Sequence, residues 1–155
     1  MTTAIGLPLD SSLLFIADLR PKKKESALQE MATRAHESGA VRHPELLGET
    51  LAWRERFTPS GIGKGVAIPN ARSIAVVEPR LIVARSRRGI AWGSSDGLPV
   101  HLVLLTLSPS DCSEETHHEL LARALGAVRL QRSRQKLIDA PGFEAVATVL
   151  REARG

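Results

Sequence analysis

The chain has 155 residues, 43% hydrophobic and 25% charged, a length and balance that fit one globular α/β domain spanning 1–155 with a sizeable core. Its single cysteine excludes an internal disulfide, and no apolar run is long enough for a membrane span or a signal-peptide h-region, so a cytoplasmic setting without membrane insertion is expected. A net charge of +4 permits acidic partners, but no tyrosine and 3% aromatic residues leave the basic clusters without the stacking groups of a nucleic-acid surface.

Pro8 and Pro21 bracket the first apolar run, Leu13-Leu14-Phe15-Ile16-Ala17, which reads as a strand. Over residues 23–38, Ala27, Leu28, Met31, Ala32 and Ala35 recur at helical spacing on one face, and Gly39 ends the helix. A second helix begins near His43 or Pro44 and runs to about Arg56, where Thr58-Pro59-Ser60-Gly61 breaks it.

Gly61, Gly63 and Gly65 then alternate, permitting backbone angles and close approaches that a Cβ would forbid. They are not a phosphate cradle, because they precede a strand, and Lys64 lies between two glycines with no Ser or Thr after it. Val66-Ala67-Ile68 fits a buried strand whose ladder Pro69 ends, leaving Asn70 displayed at a strand end. Farther on, Leu81-Ile82-Val83-Ala84 and Val100-His101-Leu102-Val103-Leu104-Leu105 read as strands covered on both faces, with a short strand Ile90-Ala91-Trp92 and a turn Ser95-Asp96-Gly97-Leu98-Pro99 between them.

After Ser108-Pro109, Ser113 caps a helix that carries Glu114 and Glu115 in its first turn. Leu120, Leu121, Ala124, Leu125 and Val128 mark its buried face; His117 extends that face and His118 turns away. Two terminal helices, about 133–140 and 143–153, flank Pro141-Gly142. No metal site is expected, since the two adjacent histidines diverge and the i, i+4 pair of a zinc helix is absent. His36, His43 and His101 are isolated, and Cys112 has no partner at motif spacing. The basic residues at 22–24, at Arg85, Arg87 and Arg88, and at Arg129, Arg132, Arg134 and Lys136 read as solvated surface.

Arg54-Glu55, Ser60-Gly61-Ile62-Gly63, Gly65-Val66-Ala67-Ile68-Pro69, Asp96-Gly97-Leu98-Pro99-Val100 and Thr116-His117 occur in this order. The arrangement resembles the enzyme IIA domains of the fructose/mannitol (type 2) class of the sugar phosphotransferase system, especially their nitrogen-regulatory branch, over residues 9–151. The resemblance implies a single α/β domain, a central mixed sheet with helices on both faces, and no cofactor. It places the family's phosphoacceptor histidine at Asn70, its supporting histidine at His117 and its phosphoryl-stabilising arginine at Arg54, with Ser60, Gly61, Gly63, Gly65 and Pro69 in the binding loop. Pro59 departs from a family serine, and Ser60 replaces a threonine.

A neutral imidazole nitrogen can carry a phosphoryl group, whereas a carboxamide nitrogen is not basic and cannot. The function expected is therefore a degenerate regulatory domain that binds a protein partner through the former active-site face without accepting phosphate. The partner would be the phosphocarrier HPr or a regulated transporter or kinase. Two alternatives stand beside it: a working phosphocarrier that uses His117 or another histidine, and a basic nucleic-acid-binding module. Structurally, Asn70 can also be a turn residue bonded to local backbone, and Arg54 a helix-surface residue paired with Glu55 or solvent.

Overall fold

The structure, a computed structural model, describes residues 9–153. In chain order the elements are α1 (Leu9–Ser12), β1 (Leu13–Ile16), α2 (Lys24–Glu37), α3 (Pro44–Phe57), β2 (Gly61–Gly63), β3 (Val66–Ala67), β4 (Asn70–Ser73), β5 (Arg80–Ile90), β6 (Val100–Pro109), α4 (Glu114–Arg129), α5 (Gln131–Asp139) and α6 (Phe143–Glu152). The sheet order is β1-β5-β6-β3-β2, and β4 pairs with β6 beyond the end of β3.

β6 is flanked on both edges, antiparallel to β5 and parallel to β3 and β4. Because successive side chains point to opposite faces of a strand, its continuous apolar run feeds two cores. Leu102 and Leu104 pack with Leu120, Ala124 and Val128 on the α4–α6 side. Val103, Leu105 and Leu107 pack with Leu28, Met31 and Leu51 on the α2–α3 side. The neighbouring strand β5 divides in the same way, Leu81 and Val83 into one core and Ile82 and Ala84 into the other. The result is the mixed sheet with helices on both faces that the sequence implies.

The helix faces are set by spacing and their ends by caps. Ala27, Leu28, Met31, Ala32 and Ala35 are the buried residues of α2. At the start of α4, Ser113 accepts from the Thr116 amide at 3.1 Å, satisfying one of the free N–H groups of the first turn. The expected buried face of α4 is narrower than its pattern: Leu120, Ala124 and Val128 are inside, but Leu125 is 47% exposed and borders open hollows beside Ile62. Among the described residues no helix is long and apolar enough to cross a membrane.

Several elements differ from expectation. β5 runs on to Ile90 because antiparallel pairing with β6 continues past a bulge between Arg85 and Ile90, which absorbs the short strand expected at 90–92; Ala91 keeps only a bridge to Lys23. The one-turn helix α1 and the strand β4 have no sequence counterpart, and Pro8 lies outside the described residues. Nor are all the basic residues solvated. The Arg85 guanidinium lies 4.8 Å from the Phe15 ring centroid and donates to the carbonyls of Ile138 and Ala140, while Arg134 donates to Val128 O at the end of α4.

Leu104 is fully buried at the centre of β6. Leu104→Ala is expected to lower the unfolding free energy by about 3 kcal/mol, through lost transfer energy and a residual cavity, as measured by urea denaturation.

Candidate functional site

Pro69 has no amide hydrogen, so the β3 ladder stops before it. Its carbonyl still accepts from the Thr106 amide at 3.1 Å, and the chain re-pairs with β6 in the register Asn70↔Thr106. Asn70 therefore opens β4 instead of trailing into a loop, which corrects the sequence reading. It sits half-buried beyond the carboxyl end of β3, where side chains from the helices on the two faces of the sheet converge. Arg54 comes from the last turn of α3 on one layer, and His117 from the first turn of α4 on the other.

Both reach the same atom. Arg54 Nη2 and His117 Nε2 each lie 3.4 Å from Asn70 Oδ1, long but convergent hydrogen bonds. A carboxamide oxygen only accepts, so Nε2 carries the imidazole proton and Nδ1 is the bare nitrogen. That nitrogen points inward to the buried Ser108 hydroxyl at 2.9 Å, which donates to it. The cavity beside Asn70, about 210 Å³, is lined by Arg54, Ser60, Pro69 and Asn70 together with Ile62, Leu121 and Leu125.

His117 is 7% exposed, and its pKa is held below the ordinary imidazole value, first by burial and then by the positive charges of Arg72, His118 and Arg54. Arg72 is a residue that sequence reasoning missed. It is fixed by donating to Cys112 O at 2.5 Å, so its charge stands over the start of α4. Ser108 was also missed, and its position one alternation from Thr106 on the α4 face of β6 is the only signal that could have placed it. Thr106 is fully buried on that face, with its hydroxyl unpaired.

A second group of residues holds the loop that carries Ser60. Successive helix positions differ by about 100°, so with Arg54 exposed its neighbour Glu55 turns inward and is 6% exposed. The Glu55 carboxylate accepts from Trp92 Nε1 at 3.1 Å and from the Ser60 amide at 3.2 Å, and lies 3.7 Å from Lys24 Nζ. Trp92 Nε1 also donates to Ser60 Oγ at 3.1 Å, which leaves the hydroxyl proton free to be donated elsewhere. Arg54 and Glu55 thus face different partners and are not an ion pair.

The three glycines do not line the Asn70 cavity. A Cβ on Gly61 would stand 2.5 Å from Ser94 Oγ, so any other residue here requires the Ser94 side chain to shift. Gly63 and Gly65, at φ of +85° and +78°, shape the β2–β3 hairpin. No group of three or more His, Cys, Asp or Glu side chains among the described residues is placed to hold a metal ion.

Residues 8–153 match the family described as phosphoenolpyruvate-dependent sugar phosphotransferase system, EIIA 2. The chain belongs to this family. Within it, the chain is 33% identical over 132 residues to a nitrogen regulatory protein of Bradyrhizobium diazoefficiens, covering 85% of each. It is 29% identical over 135 residues to the fructose-specific EIIABC component of Bacillus subtilis, matching 87% of this chain but only 21% of that longer protein. Among solved structures, the nitrogen regulatory protein IIA-Ntr of Neisseria meningitidis superposes with a TM-score of 0.77 at 26% identity, over 92% of this chain and 94% of that one. The same fold, at a TM-score of 0.73 and 16% identity over 97% of each chain, occurs in the Escherichia coli complex of enzyme IIA mannitol with phosphorylated enzyme IIB.

Two outcomes follow for this EIIA domain. Glu55→Ala strips the Ser60 amide and the Lys24 ammonium of their buried acceptor and is expected to cost about 2 kcal/mol in urea denaturation. A histidine titration by NMR is expected to place His117 below the ordinary value of about 6.5. The depressed pKa means that the unfolded chain binds this proton first as pH falls. The stability contribution is thus complete above the ordinary imidazole pKa and declines as pH drops from there towards the folded value. His117→Gln should flatten that slope.

Proposed function

We propose that this chain is a degenerate enzyme IIA regulator, which binds a protein partner through the face around Arg54, Ser60, Asn70 and His117 without accepting phosphate. The observation that carries the reading is the carboxamide of Asn70 at the point where Arg54 and His117 converge, the position that the family resemblance assigns to the phosphoacceptor histidine. A carboxamide nitrogen has no basic lone pair with which to take a phosphoryl group. The local geometry also argues against His117 as a substitute. Its exposed-side nitrogen bears the proton, and its bare nitrogen is turned into the core against Ser108.

What the site retains suits recognition. Arg54 presents a planar fork able to hold an anionic group on a partner, Ser60 keeps a free hydroxyl proton, and the exposed apolar side chains of Ile62 and Leu125 border them. An imidazole phosphate or a carboxylate on the docking protein would meet these donors. HPr, or a regulated transporter or kinase, fits that description, and the IIA–IIB complex among the solved structures of this fold supports a protein as occupant.

Incubation with phosphoenolpyruvate, the first phosphotransferase enzyme and HPr, followed by intact mass, is expected to leave the chain unmodified. Stoichiometric phosphate on His117 would overturn the proposal in favour of a working phosphocarrier. Asn70→His supplies a nucleophile between Arg54 and His117, and is expected to gain phosphate under the same conditions. If that variant folds normally and takes up none, the rest of the pocket is no longer competent, and Pro59→Ser in the adjoining loop is the next variant to add.

A further inference from the structure

At the opposite end of β3 from Asn70 lies a larger hollow, about 480 Å³, built where four strand segments and α5 come together. We propose that it is a binding site for a small phosphate ester, a nucleotide or a sugar phosphate, distinct from the Asn70 face. Its volume is within the range of about 300–1,000 Å³ typical of small-molecule sites.

Four cations border it: Lys64 from the β2–β3 hairpin, Arg85 and Arg87 from β5, and Arg134 from α5. Among the described residues no carboxylate is ion-paired with any of them. The nearby acids serve the backbone instead, Asp96 accepting from the Lys64 amide at 2.8 Å and Asp18 from the Arg87 amide at 3.2 Å. Arg134 is held in place through Nη1 and Arg85 through Nη1 and Nε, all donating to main-chain carbonyls, and Nη2 of each has no protein partner among the described residues. Two anchored guanidinium groups, each with Nη2 left over, and the exposed side chains of Lys64 and Arg87 around one concavity suit a phosphate group better than a neutral ligand.

The remaining lining defines the body of the ligand. Val66, Leu102 and Ile138 give an apolar floor. His101 Nδ1 lies 2.7 Å from Ser86 O, and since a carbonyl only accepts, Nδ1 carries a proton there. Nε2 is left to hydrogen-bond a polar group of the ligand.

The hairpin itself points the same way. Lys64 is the one non-glycine residue at positive φ among the described residues, at +59°, beside Gly65 at +78°. Two positive angles in succession are the mark of a tight hairpin turn that favours asparagine, aspartate or glycine. A lysine there is conformationally costly, and it lines the cavity.

The test is isothermal titration of the full chain with ADP, glucose 6-phosphate and inorganic pyrophosphate. At least one ester is expected to bind with Kd of about 10–100 μM, and about tenfold tighter than pyrophosphate. Which ester binds distinguishes the nucleotide from the sugar phosphate. The double variant Lys64→Gly, Arg87→Gln should weaken binding at least about tenfold while remaining folded, since glycine accepts the backbone angle at position 64 and Arg87 is exposed. Amide shifts on binding should centre on Gly65 and His101. The proposal is overturned if both esters bind more weakly than about 1 mM, if pyrophosphate binds as tightly, if the double variant is unaffected, or if the shifts centre on Asn70 and His117.

Discussion

The coverage of β6 on both faces and both edges is the constraint that the rest of the fold satisfies. A strand whose side chains alternate between two cores needs a helical layer on each side, and one whose edges are both paired needs neighbours throughout its length. β3 alone is too short to complete one edge. The chain therefore pairs twice with β6 on that side, first at 66–67 and then at 70–73, with the proline carbonyl bridging the gap. That divided pairing fixes where Asn70 stands, and the helical layers required by the two cores deliver Arg54 and His117 to it.

Electrostatically, the site is a region of positive charge held by main-chain carbonyls instead of by counter-ions. Arg72 is fixed by Cys112 O, and among the described residues Arg54 reaches only the neutral Asn70. The acid nearest in sequence, Glu55, is withdrawn into a separate buried group with Lys24, Trp92 and Ser60. His117 stays neutral in such surroundings, because burial and neighbouring positive charge act in the same direction on it. A neutral, hydrogen-bonded histidine and an unpaired arginine form a surface better arranged to meet an incoming negative group than to begin a proton transfer.

Much of the architecture is legible in the sequence, because strong periodicity leaves few choices. The helix of residues 24–37 and the continuous runs at 81–84 and 100–105 could be placed from spacing alone. Of the candidate site, Arg54, Asn70 and His117 could be named from a family motif, and the structure brings the three together. What escaped depended on contacts far apart in the chain. Ser108 has meaning only once α4 covers its face of β6, and Glu55 only once Trp92 arrives from 37 positions away. Arg85 and Arg134 read as solvated because nothing local shows that carbonyls at the ends of α4 and α5 lie within reach. The strand after Pro69 was missed for a related reason: proline ends a ladder, but only the partner strand shows that a new one starts.

The chain has two tryptophans, and they sit in opposed surroundings. Trp53 is 59% exposed on α3, whereas Trp92 is 3% exposed with its indole N–H shared between Glu55 and Ser60. An indole so placed senses the field of one carboxylate at the end of α3 and the orientation of one hydroxyl on the loop that follows it, both bordering the Asn70 cavity. The buried ring is consequently a native optical probe of that loop. With Trp53 replaced by phenylalanine, its emission colour and its quenching would register the arrival of any molecule at the cavity without a dye, a label or a measurable reaction.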